Sequence, residues 1–105
     1  MSEHAIIITA PLHLPPFGSD SERLAMARLG DELYALITKS NVGEYDGNEF
    51  GNGQCKHYMY ASDADKLFEI ISPILQATNF AKGSKLVKRY GGPQDPKVKQ
   101  VTIKL

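Results

Sequence analysis

Apolar positions along the chain follow two periods, and the switches between them divide it into seven segments. Ala5-Ile6-Ile7-Ile8-Thr9-Ala10 is a short, largely β-branched run, the signature of a buried strand. Pro11, Pro15 and Pro16 follow and predict a stiff loop over Leu12–Gly18. Met26, Leu29, Leu33, Leu36 and Ile37 then recur at helical spacing, which predicts a helix over Asp20–Lys39. Gly30 falls in its middle, where glycine costs about 1 kcal/mol relative to alanine. Close packing against a sheet would account for it. Val42–Phe50 reads as a weaker strand, followed by a hairpin turn at Gly51-Asn52-Gly53.

Cys55–Ala61 alternates most clearly. Cys55, His57, Met59 and Ala61 share one face, while Lys56, Tyr58 and Tyr60 share the other. A second helix is expected from Asp63 to Ala77, with Leu67, Phe68, Ile71 and Leu75 inward. Pro73 removes one of its hydrogen bonds and predicts a kink or a change of helix character. Lys85–Tyr90 is a fourth strand, Gly91–Pro96 a turn, and Val98–Leu105 a fifth strand with Val101, Ile103 and Leu105 on one face.

A local pattern precedes each helix. Ser19-Asp20-Ser21-Glu22 and Ser62-Asp63-Ala64-Asp65 both offer a Ser hydroxyl to an N–H three residues on, with an acid able to reach back. The order is therefore β-α-β-β-α-β-β. The expected fold is α+β, a ferredoxin-like βαββαβ two-layer sandwich with an extra C-terminal strand. Right-handed crossovers put both helices on one face of an antiparallel sheet. The opposite face is left to water, a partner or a second copy.

Length is consistent with one domain over residues 1–105. The single cysteine, Cys55, excludes an internal disulfide and any multi-cysteine zinc site. No leader-like or membrane-spanning apolar stretch is read, so the expected location is cytoplasmic, with no membrane partner. Net charge is zero, but residues 1–77 carry five bases against eleven acids, and residues 78–105 seven bases against one acid. Such asymmetry suits either an internally balanced domain or an electrostatic partner.

Candidate chemistry is sparse. The acid- and glycine-rich stretch Gly43–Gly53 lacks calcium-loop register, because from Asp46 the fifth position is Phe50 and the twelfth is His57. No metal, cofactor or catalytic constellation is assigned. Cys55 and His57 could form a nucleophile pair, but the sequence names no orienting group, and Met59 and Ala61 mark their face as core. Tyr58 and Tyr60, beside Lys56, are the stronger candidates. On an open sheet face, aromatics bind protein or stack nucleic-acid bases. The Gly-aromatic signature of RNA-recognition modules is missing. Lys85, Lys88 and Arg89 add a basic strand, although alternation divides them between faces.

Asp31-Glu32-Leu33-Tyr34-Ala35-Leu36-Ile37, followed by Val42-Gly43-Glu44-Tyr45-Asp46-Gly47, resembles part of the bacterial regulator-of-ribonuclease-E-activity B family. The resemblance covers about a fifth of the chain. It implies a small ferredoxin-like protein that binds a partner protein without catalysis. After Gly47 the family has an aromatic where this chain has Asn48, and the family's long acidic tail is absent, so the ribonuclease target is not carried over.

These readings favour a non-enzymatic protein-binding or regulatory module. It would self-associate through its open sheet face or an edge, with Tyr58, Tyr60, Lys56, Lys85, Lys88 and Arg89 as binding residues. Single-stranded nucleic-acid binding through the basic strands and the tyrosines is the first alternative. A small enzyme with a sheet–helix pocket, built around His57, is the second.

Overall fold

The computed structural model describes residues 3–13 and 16–105; residues 14 and 15 of the expected Leu12–Gly18 loop lie outside them. The elements are β1 (His4–Pro11), α1 (Asp20–Ser40), β2 (Glu44–Gly51), β3 (Gln54–Ala61), α2 (Ala64–Ala77), β4 (Lys85–Arg89) and β5 (Gln100–Lys104). The class is α+β, with five strands in one antiparallel sheet of order β2-β3-β1-β4-β5. β5 lies outside β4, so the whole sheet departs from the four-strand order of a simple ferredoxin-like domain.

β1 takes the centre because its β-branched residues are its best qualification for pairing on both edges. Ile6 pairs with Met59 and Lys88, and Ile8 with His57 and Leu86. Both helices cover the face that carries Ile6, Ile8, Met59 and Leu86. From α1, Leu29, Leu33 and Ile37 join these residues in the core, and from α2, Leu67, Ile71 and Leu75. Met26 and Phe68 of the predicted stripes pack against it as partly buried residues, whereas Leu36 is half-buried and outside the cluster. Burying each large aliphatic side chain stabilises the fold by about 1.5–3 kcal/mol.

Helix α1 begins as read from the sequence. Ser19 Oγ accepts from Glu22 N at 3.2 Å, and Glu22 Oε1 accepts from Ser19 N at 3.0 Å. Glu22 also accepts from the His13 N–H at 2.7 Å. The His13 bond first, and the Ser19 bond next, hold its pKa down at about 2. At α2 the pattern fails to repeat. The N-cap is Asp63, not Ser62, and its Oδ1 accepts from Asp65 N and Lys66 N. Asp65 is thereby released from reaching back and turns to β4. Its Oδ1 accepts from Lys88 Nζ at 3.0 Å and from Tyr90 Oη at 2.5 Å. The His4 ring supplies a second cap, with Nδ1 accepting from Ala64 N at 3.0 Å.

Pro73 does not end or retype α2, which is assigned α-helix throughout Ala64–Ala77. Its ring is exposed, so the loss of one N–H donor falls on the wet side of the helix. The β2–β3 hairpin closes through Asn52 and Gly53, with φ of 53° and 76°. That pair of positive values defines the tight turn whose twist matches the two strands. A bulge separates Tyr45 from Gly47 in β2, so Asp46 is the unpaired residue.

Candidate functional site

Strand register defines two surfaces with different chemistry. On the helix-covered side of β2 and β3, Tyr45, Asn48, His57 and Cys55 form a polar chain. Tyr45 Oη lies 2.8 Å from His57 Nδ1, Asn48 Nδ2 donates to Tyr45 Oη at 3.1 Å, and Cys55 Sγ lies 3.7 Å from His57 Nε2. A neutral imidazole carries one donor and one acceptor, so the bonds at its two nitrogens run in the same sense along this chain. Gly30 of α1 makes the chain possible. A Cβ at that position would stand 2.6 Å from Tyr45 Oη and 3.1 Å from Asn48 Nδ2. The mid-helix glycine thus has the packing reason expected of it, and the group it makes room for is a hydroxyl.

Burial sets the protonation of this chain. His57 and Cys55 are both fully buried. Loss of water lowers the His57 pKa to about 4 and raises the Cys55 thiol to about 11. At neutral pH they are an uncharged imidazole and a protonated thiol, the opposite of an activated thiolate–imidazolium pair. A cleft of about 550 Å³ is lined by Val42, Gly43, Glu44, Ser62, Asp63 and Lys66 among others, and one of about 280 Å³ by Leu12, His13, Glu22, Met26 and Phe80 among others. Neither reaches His57. The network therefore runs from buried Cys55 and His57 through half-buried Tyr45 to exposed Asn48 and fixes β2 and β3 beneath α1.

The second surface is the sheet face that neither helix covers. Across it from β2 to β5, one row reads Glu44, Tyr60, Ala5, Arg89, Gln100. The next reads Gly47, Tyr58, Ile7, Val87, Thr102. A third reads Glu49, Lys56, Thr9, Lys85, Lys104. Tyr58, Tyr60, Ile7, Val87, Lys56 and Arg89 are all half-buried. Ala5 is fully buried even without a helix above it, because long residues flank it in the register, Tyr60 on one side and Arg89 on the other. β1 is thus a floor between two taller rows. Tyr58 Oη donates to Glu49 Oε1 at 3.4 Å, and burial together with the Glu49 charge raises the Tyr58 pKa.

This face unites five of the six residues singled out from sequence: Lys56, Tyr58, Tyr60, Lys85 and Arg89. Lys88 is the exception and is corrected as a member of the set. Alternation turns it to the helix side, where its ammonium lies 4.8 Å from the Phe68 ring centroid and binds Asp65. The Asp65 hydrogen bond raises its pKa. It ties α2 to β4. Sequence reasoning missed Glu44, Glu49 and Lys104 as members of the open face. Strand alternation was the signal for all three, but it needed the pairing register to place them beside the tyrosines.

Among the described residues, no group of three or more His, Cys, Asp or Glu side chains is placed to hold a metal ion, and no helix is long and apolar enough to cross a membrane. No family model matches the chain, and no curated protein and no solved structure matches it significantly.

Proposed function

We infer that this protein is a non-enzymatic binding or regulatory module that self-associates through its open sheet face. We read β2-β3-β1-β4 with its two helices as a ferredoxin-like unit to which β5 adds an edge. The resemblance around Glu44-Tyr45-Asp46-Gly47 to the regulator-of-ribonuclease-E-activity B family supports a protein-binding role of this kind. The observation that carries the reading is the grouping of Tyr58, Tyr60, Ile7 and Val87 on a face that no helix covers. Tyrosine brings large, stiff, amphipathic contact area to an interface. The same face sets Glu44 and Glu49 against Lys56, Lys85, Arg89 and Lys104, and charges of both signs on one surface suit a self-complementary protein contact.

Light scattering after size-exclusion chromatography, across a range of loading concentrations, tests the reading. The expected result is a dimer fraction that rises with concentration and falls in the Tyr58→Ser, Tyr60→Ser double variant. A wild-type chain that stays monomeric at the highest concentration overturns it. Salt-sensitive binding of single-stranded RNA by that monomer would move the assignment to nucleic acid.

A further inference from the structure

We propose that the partner on the open face is a second copy of this chain, related by a two-fold axis parallel to the strands, so that each copy's acidic β2 lies over the other's basic β4–β5 edge. This rests on the self-association reading above and adds the orientation. Its basis is the way charge is distributed across the face. Glu44 and Glu49 lie on β2 at one side, and Lys85, Arg89 and Lys104 lie on β4 and β5 at the other. The opposition of charge between the two parts of the sequence thus reappears as a gradient across one flat surface.

A face-to-face pair of sheets can be related by a two-fold axis along the strands or across them. An axis along β1 exchanges the two sides. Glu49 then faces the second copy's Lys104, and Glu44 lies over its Gln100 beside Arg89. Tyr60 meets Arg89, a ring and a guanidinium suited to stack. Tyr58 meets Val87, and Ile7 meets its own counterpart. The one unfavourable meeting is Lys56 with Lys85, and Glu49 neighbours Lys56 in the register. An axis across the strands keeps each side over itself. Glu44 then opposes Glu49, and Arg89 opposes Lys85. Juxtaposed like charges disfavour that arrangement.

Size limits the strength of the contact. Five strands at about 4.8 Å spacing, with about 17–27 Å of length each, give a face of about 500 Å² in projection. A standard interface buries about 800 Å² per partner. The pair is therefore weak and concentration-dependent, and part of its attraction is screened by salt.

Two charge-reversed variants test the orientation, both read by sedimentation velocity with folding checked by circular dichroism. One is Glu49→Lys; the other is Lys104→Glu, the pair that the axis along β1 sets face to face. Both residues are exposed and outside the core. Each variant alone should dimerise about tenfold or more weakly than wild type, and an equimolar mixture should recover a dimer containing one of each. Wild-type dimerisation should also weaken from low to high salt. If wild type dimerises but the mixture does not recover, the orientation is wrong and the face reading survives. Glu49→Lys alone dimerising more tightly than wild type would indicate the axis across the strands, where residue 49 opposes Glu44. Absence of any wild-type dimer overturns both.

Discussion

The two faces of the sheet have nearly the same backbone and opposite solutions for their polar groups. Under the helices, His57 and Cys55 are taken wholly out of water and satisfied from within, through Tyr45 and Asn48. On the other face, Tyr58 and Tyr60 keep their hydroxyls at the solvent boundary and only half-bury their rings. Alternation along β3 alone assigns these residues to one fate or the other. The difference teaches where function can reside. The covered face commits its buried imidazole and thiol to internal partners, while the open face has apolar area, two tyrosines and exposed charge.

The comparison is most directly broken by truncating one aliphatic residue on each face. Leu33 is fully buried on the helix side, so Leu33→Ala should cost about 3 kcal/mol in urea unfolding, from lost transfer energy and a cavity. Ile7, half-buried on the open face, should cost about 1 kcal/mol in dilute monomer, because its surroundings are already partly wet. If the open face is an interface, the Ile7→Ala loss should grow with protein concentration, and the Leu33→Ala loss should be the larger at every concentration. Equal losses in dilute protein would mean that the faces differ less than their burial implies.

The next test uses acid. Burial lowers the His57 pKa from 6.5 to about 4, while in the unfolded chain it titrates near 6.5. Between those values the unfolded state holds the extra proton, so stability rises with pH across that window. The penalty is absent above it, grows as pH falls, and is complete below about pH 4. By pH 4.5 it amounts to about 2–3 kcal/mol. Glu22 works in a separate, lower window. Its pKa falls from 4.5 to about 2 on folding, so its contribution is present above 4.5 and is lost as pH drops through 2. Urea titrations at pH 7, 5.5 and 4.5 should show a steep decline in wild type and a much flatter one in His57→Gln. The same slope in both would exclude His57 as the source.

Much of this was legible from residue order. Seven elements, two helices on one side of the sheet, and the inward and outward sets of β3 all follow from periodicity and turn chemistry. The Ser19–Glu22 capping box was legible because all its partners lie within four residues. The Ser62–Asp65 copy was misread for a related reason. Asp63 sits one position later and is itself a good cap, and Asp65 found Lys88 and Tyr90, more than twenty residues away. Lys88 was grouped with the tyrosines because it is basic and close in sequence to Arg89, although alternation places it beside Phe68. Nothing in local spacing announces that Tyr45 reaches His57 across a hairpin. The pairing of Tyr45 with Met59 and of Asn48 with His57 follows from a bulge at Asp46, and a one-residue shift of that kind is invisible to a period-two reading.

Gly30 gives the finest test, because helix propensity and tertiary packing predict opposite signs there. Propensity alone makes Gly30→Ala a gain of about 1 kcal/mol. The new Cβ would, however, lie 2.6 Å from Tyr45 Oη, forcing the hydroxyl away from His57 Nδ1. A buried nitrogen left without its partner costs about 1–3 kcal/mol, so the net expectation is a loss of about 1 kcal/mol. Tyr45→Phe removes the oxygen that the Cβ would strike and sacrifices the same hydrogen bond in advance. In that background Gly30→Ala should become neutral or stabilising, giving a double-mutant coupling of about 1–2 kcal/mol. Additive effects of the two substitutions would show that Gly30 is not reserved for the tyrosine hydroxyl, and the polar network under α1 would then lose its claim to have set the one glycine inside that helix.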